Sequence, residues 1–410
     1  MGVVLLTFQM FFFTLVLVLF IMLVPGIPPH YKFEAYSLRP PRKMEGKLTP
    51  NDILDRAELV VEGKFIGPES VAVLGDFVYT GVHGGGIIRV DAKGDWKKVA
   101  QIEGECDDNW KSPCPRPLGL RFAKDGKLIV ADGYKGLVEV DVNSGANKVI
   151  LPFGTIMDYD QLPINFVDDL DIDRDGVIYF SDASQVSTMG NIFPEAFGEP
   201  TGRLIKFDPK TKKTEVLINR LHFANGVQLS RKEDFVVVCE SVRSRVWKYH
   251  LQGPKKGTKE VFIEGLPGIC DNIRSNGKGG FYISLVTPDN EETPNSMRQF
   301  MAIPAVKKLI LRVQYLLRAS LELIDSYFSN PLTKIAHSYV CHLGPFGDTK
   351  YMPSKVIIVD IEESGNILGS LQTKNGQMAF ISEIGLGGKF TYFGSPYTDK
   401  LWRIKTEYLV

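Results

Sequence analysis

The chain has 410 residues, 48 basic and 48 acidic side chains, and a hydrophobic content of 44%. That is enough apolar material for a large core, and the balanced charge argues against a nucleic-acid partner and gives no sign of electrostatic targeting. What remains is one folded body with a separate apolar segment at its start.

That segment comes first in chain order. The charge-free stretch from Val3 to about Val24 is long enough to cross a bilayer as a helix, and no small-x-small cleavage site follows it. Residues 1–24 therefore read as an uncleaved transmembrane signal anchor. Gly2 lacks the Ser or Thr at position 6 that myristoylation needs. Pro25, Pro28, Pro29, Pro40 and Pro41 make residues 25–59 an extended stalk and lead-in.

From about residue 60 a repeat begins. The runs GDFVYTG, GKLIVADG, GVIYFSDAS, DFVVVCES, GGFYISLV and KFTYFGSP are dense in β-branched and aromatic residues and open on turn residues. Anchored on Thr80, Ala131, Ser181, Cys239, Ser284 and Gly394, they recur at intervals of 51, 50, 58, 45 and 110 residues. Most continue into a second hairpin, as in GGGIIRVDAKG and GRLIKFDPKT. Four strands per unit of this length is the arithmetic of a propeller blade, so the fold class is all-β, a six-bladed β-propeller over 60–410.

Two glycine and aspartate motifs fit turns better than sites. VHGGG at 82–86 lacks an accompanying G-x-S-x-G and reads as a hairpin turn. DIDRDG at 171–176, with Asp182 at the twelfth position, has the start of a calcium loop but lies between two strands, where Asp-Gly is an ordinary turn. The long last interval holds a helical insertion, about 290–335, before the last blade. Ile303, Val306, Leu309, Ile310, Val313, Leu316, Leu317, Leu321 and Ile324 recur there at helical spacing, with Lys307, Lys308, Arg312 and Arg318 among them. Such a helix is either a lid on the blade tops or a surface helix touching the membrane.

Eleven to fourteen residues before each anchor stand Glu69, Leu118, Asp168, Asn225, Asp271 and Ser382. One phase of a propeller repeat forms a ring about the axis. Glu69, Asp168, Asn225, Asp271 and its neighbour Asn272 offer only oxygen, with no Cys or His in phase, which suits Ca2+ rather than zinc. Taken singly, each is an ordinary turn residue before a strand.

The runs GPES, RPLGL, FVDDL, FANGVQLS, LPGICDNIR, YFGSPY and LWRI resemble the strictosidine synthase-like family over about residues 60–410; paraoxonases and gluconolactonases are more distant relatives. The resemblance implies a calcium held by Glu69, Asn225, Asp271 and Asn272, and by Asp168 where the family has Asn. The extra charge is expected to hold calcium at least as tightly while weakening its polarising power. Paraoxonases place a general-base His at the position of Leu118. Strictosidine synthase uses a Glu where this chain has Ser382, with Glu383 one step along and expected to face the other side of its strand. What remains resembles gluconolactonases, in which the position of Asp271 both ligates the metal and takes a proton from water. Asp169 is a candidate ligand for a structural calcium by resemblance to paraoxonases, although the acidic partner expected there is Ser70. His222, three residues before Asn225, reads as a solvated or packed histidine before it reads as a proton carrier. Relatives carry a disulfide where Cys106 and Cys114 bracket a loop; Cys239, Cys270 and Cys341 have no evident partners.

These readings converge on a membrane-anchored, calcium-dependent hydrolase of small-molecule esters or lactones with Asp271 as its catalytic residue. The alternatives are a non-catalytic membrane-tethered binding or adhesion protein and, third, an amine–aldehyde condensing synthase. Lys32, Arg39, Arg42 and Lys43 follow the span and none precede it, which would leave the propeller in the cytosol. The expected disulfide points the other way, to a single-pass type II protein of the endoplasmic reticulum or plasma membrane with a lumenal or extracellular propeller.

Overall fold

The structure, a computed structural model, describes residues 2–28, 31–106, 114–295, 300–341 and 354–409. Twenty-four strands form six four-stranded antiparallel sheets. Blade 1 comprises β2–β5 (Val71–Leu74, Phe77–Gly81, Gly86–Val90, Trp96–Gln101), and blade 2 β6–β9 (Pro117–Phe122, Leu128–Asp132, Gly136–Val140, Asn147–Pro152). Blade 3 comprises β10–β13 (Val167–Ile172, Ile178–Asp182, Gly202–Asp208, Lys213–Leu221), and blade 4 β14–β17 (Ala224–Leu229, Phe235–Glu240, Arg245–His250, Lys259–Glu264). Blade 5 comprises β18–β21 (Gly268–Ser275, Gly280–Pro288, Ile357–Glu362, Ile367–Gln372). Blade 6 joins β22–β24 (Glu383–Gly385, Phe390–Gly394, Lys400–Lys405) to β1 (Glu58–Glu62), so the start of the body supplies the outer strand of the last blade. This pairing closes the ring, with Glu58 opposite Arg403 and Val61 opposite Leu401.

The core is divided among the joints between blades. Leu120, Val130 and Val138 of blade 2 meet Tyr79 and Ile87 of blade 1. Val237 and Cys239 of blade 4 meet Ile273, Phe281 and Ile283 of blade 5, and Val61 and Leu401 of blade 6 meet Val78 and Ile88 of blade 1. Residues of the middle strands alternate between the joints on either side, so the period-2 pattern of the sequence fills two cores at once.

The helical insertion lies inside blade 5, between β19 and β20, rather than between blades. Among its described residues are two long helices, named with the others as α1 (Gly2–Leu23), α2 (Phe193–Phe197), α3 (Pro304–Phe328) and α4 (Pro331–Cys341). Leu311 of α3 packs on Phe193 and Phe197 of α2 and on Tyr36. Residues 31–57 run along the body: Lys307 Nζ donates to Glu34 O and Gly198 O, and Leu48 and Leu54 are buried in blade cores. Among the residues with described side chains, no helix carries a stretch long and apolar enough to cross a membrane. The first four residues of α1 and Phe8 lie outside that set.

The closure by β1 gives a direct test. Leu401 is fully buried against Val61, whereas Leu59 on the same pairing is exposed. Leu401→Ala is expected to lower the free energy of unfolding in urea by about 2–5 kcal/mol, and Leu59→Ala by less than about 0.5 kcal/mol.

Candidate functional site

Each inner strand begins on one face of the propeller, and four of them begin with an irregularity. The strand register shifts between Pro117 and Gly119, Val167 and Leu170, Ala224 and Val227, and Cys270 and Ile273. Leu118, Asp168, Asn225 and Asp271 all fall inside these shifts. A bulge frees consecutive residues from strict alternation, which is how Asp271 and Asn272 both belong to the site. Close approach of neighbouring blades completes the local geometry. A Cβ on Gly226 would lie 2.5 Å from Asn272 Cα, and one on Gly119 would lie 2.7 Å from Asp169 Cα. The glycines of FANGV and RPLGL are therefore there to let blade 4 meet blade 5 and blade 2 meet blade 3.

All five expected ligands are buried. Each carries a buried oxygen with no hydrogen-bond partner: Glu69 Oε2, Asp168 Oδ1, Asn225 Oδ1, Asp271 Oδ1 and Asn272 Oδ1. Burial, and then the charge of Glu69, push Asp168 and Asp271 well above the usual carboxylate range. Burial raises Glu69 to about 7 against the opposing charge of Arg116, whose Nη2 stands 3.5 Å from Glu69 Oε2. Among the described residues, no group of three or more His, Cys, Asp and Glu side chains is arranged to hold a metal by itself. Glu69, Asp168 and Asp271 thus do not form such a group on their own; with the amides Asn225 and Asn272 they present five unpartnered oxygens. Buried acceptors without donors are rare, and this donor set fits a hard cation.

Arg116 and Arg274 carry no expectation from the sequence, yet they organise the site. Arg116 is buried and donates to Gly67 O and Pro396 O, both at 2.9 Å, holding the loop before Glu69. Arg274 of blade 5 donates to both oxygens of Asp169 in blade 3, at 2.7 and 2.9 Å, and to both oxygens of Glu383 in blade 6. Blades 3 and 6 are opposite each other in a six-bladed ring, so the guanidinium spans the axis. Burial opposes its charge, but Asp169 and Glu383 outweigh burial and keep it protonated. One signal was available: Arg274 follows Asn272 by two residues on the innermost strand, the spacing that shares a face.

This bridge corrects two expectations. Asp169 does not stand open to a structural calcium, since Arg274 takes both of its oxygens and Val227 N donates to Oδ2 at 2.7 Å. Glu383 does not turn away from the channel. β22 starts at Glu383, so Ser382 precedes the strand and alternation does not separate the two. Ser382 Oγ donates to Glu69 O, tying blade 6 to the ring. A surface cavity lined in part by Asp171, Gln228, Ser275 and Glu363 lies beyond the inner-strand residues that carry the bridge, at the opposite end of the channel.

Leu118 is buried with Phe166 and Ala183, against Met189 and Phe223, so the wall beside the ring is apolar. His222 is packed rather than solvated, its ring 4.7 Å from that of Tyr36. Burial drives its pKa well down, and both ring nitrogens lack hydrogen-bond partners. Cys106 and Cys114 are joined by a disulfide at the edge of this face. Both motifs read as turns are turns: Val82 N donates to Gly86 O, and Asp173 Oδ1 accepts from Asp175 N and Val177 N.

Family models described as strictosidine synthase and as strictosidine synthase-like, N-terminal, match residues 168–254 and 46–90. The adipocyte plasma membrane-associated protein hemomucin of Drosophila melanogaster is 34% identical over 95% of this chain and 67% of its own length. The adipocyte plasma membrane-associated protein of Gallus gallus is 32% identical over 91% and 83%. A gluconolactonase from Xanthomonas campestris superposes with a TM-score of 0.54 at 12% identity, covering 92% of this chain and 99% of its own. The calcium-binding protein regucalcin from Agrobacterium tumefaciens gives 0.50 at 11%, covering 85% and 92%. At these identities the structures share the fold.

Glu195 supports the apolar wall, accepting from Phe223 N at 3.2 Å, Ser184 Oγ at 2.8 Å and Thr201 N at 3.1 Å, and from Thr201 Oγ1. Burial raises its pKa from 4.5 to about 7, with the bonds from Thr201 opposing. The folded state thus holds a proton that the unfolded chain releases, so this contribution to stability is full below about pH 4.5 and is lost as pH rises to about 7. Glu195→Gln removes the charge while its amide oxygen can still accept from Phe223 N and Thr201 N, and the Ser184 and Thr201 hydroxyls turn to accept from its NH2. The difference in stability between variant and parent, from denaturation at successive pH values, is expected to grow across that window, favouring the variant by about 1–3 kcal/mol above it.

Proposed function

The chain belongs to the strictosidine synthase-like family of adipocyte plasma membrane-associated proteins, and on that premise we propose a membrane-anchored, calcium-dependent hydrolase of esters or lactones. The observation that carries this reading is the set of five buried, unpartnered oxygens on Glu69, Asp168, Asn225, Asp271 and Asn272. Glu69, Asp168 and Asp271 bring three negative charges and Arg116 returns one, which leaves a balance that a divalent cation neutralises. Calcium bound there would supply Lewis acidity toward a carbonyl oxygen and toward water.

The chain's own residues supply the rest. With the cation neutralising the ring, the Asp271 carboxylate accepts the proton from the attacking water at one of its oxygens. The Asn225 amide beside that carboxylate favours its charged form. Leu118 and Phe166 back the site as buried apolar packing, and the partly exposed Phe223 is left to meet the apolar part of the substrate. With no imidazole at position 118, Asp271 is the base.

Anchoring follows from α1. Its 22 residues carry no charge and as a helix measure about 33 Å, against a hydrocarbon thickness of about 30 Å. The Cys106–Cys114 bridge favours the type II orientation with the propeller lumenal or extracellular, in the endoplasmic reticulum or plasma membrane. The same apolar wall also suits a non-catalytic binding propeller, the second reading. A condensing synthase is disfavoured because Arg274 occupies both oxygens of Glu383.

Turnover of aryl esters and lactones by the purified protein, with and without chelator, tests the reading. The expected result is chelator-sensitive hydrolysis. Asp271→Asn should lower it by about 10²-fold or more while calcium affinity falls less than about tenfold, because an amide still offers an oxygen but takes no proton. Equal loss of both makes Asp271 a ligand only, and no turnover on any substrate favours the binding protein.

A further inference from the structure

The two faces of the propeller expose different chemistry. On the face away from the ring, the turns at 75–76, 124–127, 173–176, 231–234 and 276–279 are built from Asp, Glu, Lys, Arg, Asn and Gly, and exposed large apolar side chains such as Leu74 and Trp96 stand singly at strand ends. On the ring face, the loops leading into the inner strands expose Ile66, Ile156, Tyr159 and Leu162. The hairpin of α3 and α4 rises from the same face, since it connects the second and third strands of blade 5 on the side where inner strands begin.

That hairpin has two apolar sides. Its first half turns Leu311 and Ile310 onto the body. Its tip turns Leu323, Ile324, Tyr327, Phe328, Leu332 and Ile335 outward, with Phe328 and Leu332 exposed by 74% and 76%. Contiguous apolar surface of this kind marks an interaction site. What covers it is indicated by α1, which packs on α3: Arg312 Nη1 donates to Ile21 O at 2.6 Å, satisfying one of the last carbonyls of α1. Beyond that contact α1 exposes apolar side chains on every side, including Phe11, Phe13 and Phe20. A helix apolar all round belongs in lipid, and the hairpin is fastened to it.

We propose that the ring-bearing face docks on the lipid bilayer that holds α1, with the tip of the α3–α4 hairpin immersed among the lipids and the mouth of the channel turned toward them. This rests on reading α1 as a membrane anchor. Aromatic residues at the tip, Tyr327 and Phe328, suit the boundary between headgroups and acyl chains. The charged turns of the opposite face stay in water.

Nitroxide accessibility in the full chain reconstituted into phosphatidylcholine vesicles distinguishes the two claims. Labels are placed singly at Phe328→Cys and Leu332→Cys on the tip, Phe11→Cys in α1 and Lys255→Cys on the far face; Cys239, Cys270 and Cys341 are buried. The ratio of relaxation by oxygen to relaxation by charged chromium oxalate is expected to be on the order of tenfold higher at 328, 332 and 11 than at 255, because lipid excludes the charged complex. A high ratio at 11 with a low ratio at 328 and 332 overturns the docking and leaves the anchor standing. Low ratios at all four overturn both, and a high ratio at 328 and 332 with a low one at 11 supports docking without the anchor.

Discussion

Like charges buried at the axis are the constraint on which the rest of this propeller depends. Glu69, Asp168, Asp169, Asp271 and Glu383 converge there, all of them buried. Leaving such groups charged and unpaired costs several kcal/mol each. The protein divides them into two layers. In the lower one Arg274 takes Asp169 and Glu383 by forked hydrogen bonds and ties blades 3, 5 and 6 across the channel. In the upper one Arg116 reaches only Glu69, and Asp168, Asn225, Asp271 and Asn272 each keep a buried oxygen without a hydrogen-bond partner. The protein meets the first problem with its own cation, and the calcium proposed above would meet the second.

This division also sets how the fold closes. The joints between blades are apolar, whereas the axial contacts are polar and directional. Leu120 N of blade 2 donates to Ser70 Oγ of blade 1, Val227 N of blade 4 to Asp169 of blade 3, and Asn272 N of blade 5 to Ser382 O of blade 6. The outer rim is closed separately, by β1 pairing with β24. The ring is thus held at its centre by polar contacts and at its edge by a strand from the other end of the chain.

The repeat was legible because its period is written in β-branched and aromatic runs, and the ring because its members share one phase of that period. Asp271 and Asn272 could be placed together from sequence, but not explained, because strict alternation would send one of them away; the bulge between Cys270 and Ile273 brings both in. Glu383 escapes a reading by alternation for the complementary reason, since it stands at the first position of its strand. Arg116 and Arg274 stood in plain view in RPLGL and DNIR, but their roles depend on partners 47 residues and more than 100 residues away, which no local pattern contains. The pairing of β1 with β24 was hidden likewise: nothing in a five-residue strand names a partner at the far end of the chain.

The ring, the apolar wall at Leu118 and Phe166, and the exposed hairpin all lie on one face, so the proposed binding, chemistry and membrane contact would all fall where the inner strands begin. The other face offers charged turns. Whether this face performs hydrolysis or only holds a ligand, both readings require the cation. Calcium titration of chelator-treated full-length protein by calorimetry tests that requirement most directly. The account predicts one calcium per chain, with the binding heat abolished by Asp271→Ala in a protein that remains folded. Absence of calcium binding to the intact protein, or undiminished binding by Asp271→Ala, would contradict it.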